Sequence, residues 1–159
     1  MAQAGSVSPA KRDPVTAALA VATTLCRDRG APLTEVRRRV LEALWQAHQP
    51  LGAYELLPRL EAALGRKFAP PTVYRALEFL VSQGLVARIE SRNAFVPCAH
   101  PGHPHTCVFF VCDRCGNSVE VEKPALERLL AGYASALGFE IHRKALELQG
   151  TCAQCRTTA

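Results

Sequence analysis

Seven cysteines are present in this 159-residue chain, and four of them form two Cys-x-x-Cys pairs, Cys112 with Cys115 and Cys152 with Cys155. The two thiolates of each pair can reach one ion, and four thiolates in a closed tetrahedral shell suit a structural zinc site. The alternatives are two unrelated thiol pairs or a redox-active pair, but two matched pairs are a more specific signal than one. We expect these four cysteines to hold a structural zinc ion around which the C-terminal third folds.

A second group of potential metal ligands lies between Cys98 and Cys107 and includes His100, His103 and His105. Three of the chain's five histidines therefore fall within this segment, whose prolines and glycine disfavour regular structure. A mixture of thiolate, imidazole and carboxylate suits zinc and binds it less permanently than four thiolates do. This composition is what a reversible zinc sensor requires.

A carboxylate for such a sensor is available in the predicted strand 118–122. Side chains alternate along a strand, so Val119 and Val121 are expected to face the core while Glu120 faces away from it, toward a metal. Cys26 has no cysteine or histidine nearby in sequence and is expected to be a small core residue. Cys107 is interpreted as a spare thiol on a strand, with a role as metal ligand left open as the alternative.

The net charge of +5 is distributed unevenly. Residues 1–97 carry 13 Lys/Arg against 8 Asp/Glu, whereas residues 98–159 carry six of each. A polyanionic partner is therefore expected to bind the first part. The sequence shows neither a signal-peptide core nor an apolar run of transmembrane length, so we expect a cytoplasmic protein with reduced cysteines.

Apolar periodicity predicts four helices in the first part: residues 15–29, a helix capped by Thr34, residues 53–64, and residues 70–81. Pro58 is expected to kink the third helix or displace its start. In the fourth helix one face is apolar, and Tyr74 and Arg75 lie on the other. Arg75 can bond the O6 and N7 atoms of guanine, and Tyr74 can pack on a thymine methyl, although both can also be ordinary surface residues.

Residues 85–90 and 94–98 then predict a two-stranded hairpin. Helices followed by a hairpin are the element order of winged-helix DNA-binding proteins. On this hairpin, or wing, Arg88 and Arg92 are expected to meet phosphates. The Arg37–Arg39 run can follow a phosphate backbone or be a solvated face.

Several motifs in this order resemble the ferric uptake regulator superfamily, and most closely its zinc uptake regulators. They are Thr-Val-Tyr-Arg at Thr72–Arg75, the histidine-rich segment, Val-Cys-Asp-Arg-Cys-Gly, and Leu-Gln-Gly-Thr-Cys-Ala-Gln-Cys ending at Cys155. The resemblance runs from Leu33 to Cys155. It implies a homodimeric zinc-responsive repressor of operator DNA, with Tyr74 and Arg75 as the base-reading pair and a structural zinc held by the two Cys-x-x-Cys pairs. Thr72 is expected to belong to the same DNA-binding surface.

The resemblance also implies a regulatory zinc site formed by Cys98, His105 and Glu120. Related proteins often take a further ligand from the position of Ala87, which cannot bind metal. We therefore expect His103 to complete the shell, with His100 in reserve, and two zinc ions per subunit. Some members have a further histidine where this chain has Lys144, and His142 is interpreted as a surface or partly buried imidazole, so no third site is expected.

The predicted fold is α+β: an N-terminal winged-helix (helix-turn-helix) DNA-binding domain followed by a small C-terminal α/β dimerisation domain. The expected boundaries are a disordered leader 1–13, the winged-helix domain 14–97, a hinge 98–106 and the dimerisation domain 107–159. In the last domain a buried strand 108–111, a helix 124–137 and a strand 140–148 are expected. Dimerisation would cover its sheet edge, and neither a membrane nor a small-molecule substrate is expected as a partner.

Three other functions fit the sequence less well. An iron- or peroxide-responsive regulator is the nearest, but iron(II) at such a site would favour imidazole and carboxylate without the thiolate of Cys98. A zinc deaminase needs His-x-Glu before its Pro-Cys-x-x-Cys, and this chain contains no His-x-Glu. A structural zinc-ribbon adaptor leaves the hinge histidines and the basic first part unexplained. We therefore expect no enzymatic activity.

Overall fold

The computed structural model describes residues 13–47, 49–102, 107–142 and 145–157. The leader up to residue 12 and His48 lie outside these ranges. The first part consists of four helices and a hairpin: α1 (Pro14–Asp28), α2 (Glu35–Gln46), α3 (Ala53–Leu64), α4 (Pro70–Ser82), β1 (Val86–Ile89), a 3-10 turn (Glu90–Arg92) and β2 (Ala94–Pro97). The second part consists of β3 (Cys107–Cys112), β4 (Ser118–Val121), α5 (Pro124–Ala136), β5 (Ala145–Gly150) and α6 (Ala153–Thr157).

The helix boundaries follow from local sequence. Pro70 and Pro71 open α4, where a missing N–H leaves no helical hydrogen bond unmade. Gly84 follows its end at φ +67°, a conformation that favours glycine. α3 begins at Ala53 and continues through Pro58, so the start of this helix is not displaced.

The four helices enclose the main apolar core of the described chain. α2 and α4 contribute Val40, Leu44, Leu77 and Leu80, each at most 1% exposed. Cys26 of α1 is buried with them, which confirms its interpretation as a small core residue, and burial raises the pKa of its thiol. This core makes the N-terminal part a rigid support for α4.

The wing packs against the helices through a bridge between Leu51 and Phe95. Their backbones exchange two hydrogen bonds, Leu51 N–H to Phe95 O at 3.1 Å and Phe95 N–H to Leu51 O at 2.9 Å. β1 and β2 pair antiparallel, and Asn93 closes the turn between them at φ 47°, which asparagine tolerates better than most residues. The wing is thus fixed to the loop that precedes α3.

The second part is a three-stranded sheet in the order β4-β3-β5, with β4 antiparallel and β5 parallel to β3. The parallel pair requires a crossover, and α5 lies in that connection. Together with the helical first part, this mixed sheet confirms the α+β class.

One face of the sheet is exposed, contrary to two expectations. In the strand predicted to be buried, Phe110 is 51% exposed, and its ladder partner Val119 is 55% exposed rather than directed to the core. Leu148, opposite Phe110 on β5, is also exposed. This face is covered only in part, since Val108 on the same side of β3 is 5% exposed while α5 has no buried residue. The last strand is also shifted: it begins at Ala145, not at residue 140.

The opposite face of the sheet meets the wing. Phe109 and Val111 are buried there in a cluster with Ile89 of β1. Glu120 and Glu147 are the ladder partners of Phe109 on either side, so both carboxylates lie on this same face. Phe109, buried between them, is therefore the centre of the contact between the two parts of the chain.

Candidate metal centre and nucleic-acid interface

The β3–β5 ladder brings the two Cys-x-x-Cys pairs together. Its register places Cys112 opposite Gly150, and Asp113 N–H extends the pairing to Gly150 O at 2.9 Å. After the end of β3 the chain turns so that Cys115 approaches Cys112, and after the end of β5 it turns through Cys152 and Cys155. All four sulfur atoms lie within 4.8 Å of one another. Among the described residues, this is the one cluster of three or more potential ligands at such distances.

The cysteine cluster fits zinc. Tetrahedral zinc with Zn–S bonds of about 2.3 Å separates its sulfur atoms by about 3.8 Å. The sulfur atoms of Cys115 and Cys152 are 3.8 Å apart. Backbone N–H groups also point at sulfur: Cys152 N–H at Cys112 Sγ and Cys155 N–H at Cys152 Sγ, both 3.4 Å. Such donors stabilise thiolates, which are the form that zinc binds.

Without a cation the four thiols cannot all ionise. Hydrogen bonds from the backbone of Cys115 and Cys152 lower the pKa of Cys112 to about 6. The neighbouring thiols of Cys152 and Cys115 raise the pKa of Cys155 to about 12. Only a bound cation offsets the repulsion among four thiolates, so zinc binding is expected to release protons.

The structure describes part of the predicted regulatory site. Burial, together with the smaller effect of the carboxylates of Glu120 and Glu122, raises the pKa of Cys98 to about 11. Glu120 lines a cleft of about 180 Å³ with Pro97 and Phe109, whereas Cys98 lines a separate apolar cavity of about 270 Å³ beside Trp45. The described ligands are therefore near one another without sharing a cavity.

Of the three hinge histidines, His100 lies within the described residues. His100, the reserve ligand, contacts Glu122 through Nδ1 and Oε1 at 2.8 Å. His103 and His105 lie outside the described residues, as does Lys144. His142 is exposed, in agreement with its interpretation as a surface imidazole.

The predicted base-reading residues occupy the first turns of α4. Arg75 is exposed, and among the described residues it makes no ion pair or hydrogen bond. Tyr74 is half-buried and packs at the edge of the helical core. It packs edge-on against Tyr54 with ring centroids 6.5 Å apart, a favourable arrangement for an aromatic pair. Thr72 precedes them, and its N–H bonds Ala69 O at 2.9 Å.

The two wing arginines are engaged within the chain. Arg88 pairs with Glu90 at 3.1 Å and donates to Asn93 Oδ1 at 2.9 Å. Arg92 donates to Cys112 O at 3.3 Å, beside the cysteine cluster. The structure thus directs Arg92 toward the second domain, a direction that spacing within the hairpin does not reveal.

Two of the three arginines in the Arg37–Arg39 run also make contacts within the chain. Arg37 lies over the ring of Phe79, 3.5 Å from its centroid, and Arg39 pairs with Glu42 at 2.9 Å. Arg38 is exposed. Most of this run therefore supports the helical domain.

Glu147 is a functional candidate that the sequence did not indicate. Its carboxylate accepts hydrogen bonds from the backbone N–H groups of Glu90 and Ser91, at 2.5 and 3.2 Å. An isolated acidic residue in a strand is usually solvated, so no pattern could have identified it. No helix in the described parts of the chain is both long and apolar enough to cross a membrane.

Comparisons with known proteins all find members of one protein family. The sequence profile of the ferric uptake regulator family matches residues 28–149. The zinc uptake regulation protein of Escherichia coli strain K12 is 38% identical over 138 residues, 86% of this chain and 80% of the relative. A solved zinc uptake regulator complexed with zinc and DNA has a TM-score of 0.84 at 36% identity, covering 92% of this chain and 98% of that one.

The chain is also similar to XcZur, a further solved relative, in its holo and apo forms. The holo form has a TM-score of 0.76 at 42% identity over 87% of this chain and 96% of that one. The apo form has a TM-score of 0.51 at 40% identity over 91% and 99%. The arrangement of this chain is therefore more similar to the holo form.

Proposed function

Because the chain belongs to the ferric uptake regulator family, we propose that it is a zinc-responsive transcriptional repressor that binds operator DNA as a zinc-loaded dimer and controls zinc uptake genes. The observation that carries this proposal is the 38% identity to a zinc uptake regulation protein over 86% of the chain. The four-cysteine cluster supplies a matching zinc-binding chemistry. Members of this family are regulators, and we assign the chain no enzymatic activity.

For DNA recognition we propose the exposed start of α4. Arg75 would donate two hydrogen bonds to a guanine, while Tyr74, held by Tyr54, would contact a base or phosphate beside it. Thr72 lies one turn earlier and suits a phosphate contact. Of the two wing arginines, Arg88 remains the candidate for a phosphate contact.

The dimer is supported by the uncovered apolar face of the second domain. Phe110, Val119 and Leu148 form adjacent exposed positions on the sheet, and Tyr133 and Phe139 on and after α5 are also more than 60% exposed. Exposed apolar side chains of this size mark an interaction surface. A second copy of the chain would bury them and also cover the edge of the sheet.

We propose two zinc ions per subunit, one in the cysteine cluster and one at the hinge. The hinge ion would be held by Cys98, His103, His105 and Glu120, and it supplies a cross-link between the two domains when bound. The residues around it determine what that cross-link fixes. Glu120 lies in the same ladder row as Phe109, so anchoring this carboxylate to the hinge stabilises the packing of the sheet on the wing.

The proposed domain boundaries are 14–97 for DNA binding, 98–106 for the hinge and 107–159 for dimerisation, preceded by the leader 1–13. We propose a cytoplasmic location, which suits both operator binding and thiols that stay reduced. With both domains fixed, the two α4 helices of a dimer would match successive major grooves.

The test of this function is fluorescence anisotropy on an AT-rich palindromic operator, with titrations of buffered free zinc and of anaerobic iron(II). Tight binding with trace zinc and not with iron is expected. Activation by iron alone would instead indicate an iron-responsive member of the family.

The hinge ligands are tested by His103→Ala, with His142→Ala as the matched control on an exposed histidine. We expect His103→Ala to raise the zinc concentration needed for operator binding at least tenfold, because ligand loss weakens a mixed site strongly. Wild-type zinc affinity in His103→Ala would exclude this residue as a ligand.

A further inference from the structure

The turn of the wing is held by the second domain at two points. On one side, Glu147 Oε1 and Oε2 accept the N–H groups of Glu90 and Ser91, at 2.5 and 3.2 Å. A carboxylate that accepts two backbone N–H groups forms charge-assisted hydrogen bonds, which are stronger than neutral ones. Burial alone would raise the pKa of Glu147, but the hydrogen bonds from Ser91 and Glu90 outweigh it and hold the pKa below its ordinary value.

On the other side, Arg92 reaches the first cysteine turn. Its guanidinium donates to Cys112 O at 3.3 Å and covers Gly116, where a Cβ atom would lie 2.8 Å from Nη2. Gly116 has φ +75°, so this turn requires glycine for its backbone as well as for the arginine. The wing therefore contacts the same turn that positions two zinc-binding thiols.

These polar contacts lie at the rim of a small apolar contact. Ile89, next to the wing turn, is buried against Phe109 and Val111 of β3. Glu147 lies beside Phe109 on β5, while Glu120 lies beside it on β4, so the two carboxylates are about 10 Å apart across the central strand. Glu147 thus holds the wing at a place separate from the proposed regulatory ligand Glu120.

We propose that Glu147 and Arg92 are positioning residues for operator binding, which clasp the wing turn to the dimerisation domain and hold the DNA-binding domain in its operator-binding orientation. This inference rests on the proposed function. The clasp favours the DNA-competent arrangement, so less zinc-binding free energy is needed to populate it. The structure contains the clasp formed by Glu147 and Arg92, and its overall arrangement differs less from holo XcZur than from apo XcZur.

The first test compares Glu147→Gln with Glu140→Gln in the full-length, zinc-loaded protein. Glutamine preserves the shape of the side chain and removes the charge of the acceptor, and Glu140 is an exposed residue of the same domain. We expect Glu147→Gln to weaken operator binding about tenfold per subunit and to raise the zinc concentration needed for half-maximal binding. Hydrogen exchange at the amides of Glu90 and Ser91 should accelerate, while zinc in the cysteine cluster is retained.

The second test uses Arg92→Ala and distinguishes the clasp from a phosphate contact. Loss of one phosphate contact from each subunit of the dimer would reduce the slope of log K against log salt by about 1.8, at about 0.9 per contact. Loss of the clasp lowers operator affinity without changing that slope. Arg128→Ala, on the exposed surface of α5, serves as the control.

The inference is overturned if Glu147→Gln binds the operator with the affinity and zinc requirement of Glu140→Gln, or if Arg92→Ala changes the salt slope by a full phosphate contact. The failure of the proposed function looks different, because in that case the wild-type protein itself shows no zinc-dependent operator binding. If one of the two substitutions disturbs folding, the other still tests the clasp, because Glu147 and Arg92 lie on different domains.

Discussion

Removal of zinc from the cysteine cluster is expected to unfold the second domain and leave the first one folded. The described second domain buries few apolar side chains, namely Val108, Phe109 and Val111, and α5 has none buried. The first domain, in contrast, has its own extensive core around α2 and α4. Stability is therefore distributed unequally between the domains.

The expected loss of stability of the second domain can be compared with the free energy that zinc contributes. Structural zinc in small domains contributes about 10–16 kcal/mol of binding free energy at neutral pH. The complete free energy of unfolding of a typical domain is about 5–15 kcal/mol. Loss of the ion therefore removes at least as much free energy as a domain with so small a core can have in reserve.

The test compares the variant Cys152→Ser, which lacks one zinc ligand, with the control Ala153→Ser at the exposed neighbouring position. Hydrogen exchange should show loss of protection in β3 and β5 of Cys152→Ser, and metal analysis should show loss of zinc. The single tryptophan, Trp45, packs against the core of the first domain, so its fluorescence should remain native. Native protection of β3 and β5 in a variant shown to lack zinc would refute the reasoning.

Three further substitutions test the remaining interpretations. Arg75→Ala should weaken binding to a palindromic operator by about 2–6 kcal/mol, because each of two guanine contacts contributes about 1–3 kcal/mol, and fluorescence anisotropy with Arg128→Ala as control measures this. Leu148→Arg should yield monomers in sedimentation, because it places a charge on the exposed apolar face, whereas Lys123→Glu should stay dimeric. Phe109→Ala should lower the free energy of unfolding by about 3–5 kcal/mol in denaturant titrations, because this side chain is only 1% exposed.

Each of these expectations has a contrary outcome. Unchanged operator affinity in Arg75→Ala would remove α4 from the base-reading role. A stable Leu148→Arg dimer would move the dimer contact away from the sheet. A loss below about 1 kcal/mol for Phe109→Ala would show that the wing and the sheet do not depend on this side chain for their packing.

Much of the first domain was predictable from the sequence. Helix periodicity, the prolines that open α4 and the glycine that follows it are local signals, and α3 was predicted with the bounds that the structure shows. The second domain was predicted less well. β5 starts at Ala145 and not at residue 140, and Val119 is exposed. The exposure of Val119 fits a sheet face whose expected partner is another copy of the chain, because apolar pattern alone does not tell an interface from a core.

The sequence by itself determined the chemistry of the cysteine site, since ligand types and two-residue spacings are local properties of the chain. Only the tertiary structure decided what surrounds that site. The β3–β5 register placed Cys112 opposite Gly150, and the packing of the wing placed Arg92 and Glu147 around the turn between its strands. Contacts between residues 20 to 57 positions apart depend on strand register and domain packing. Short-range patterns in a single sequence carry little of that information, because the free energies that fix it are summed over the whole fold.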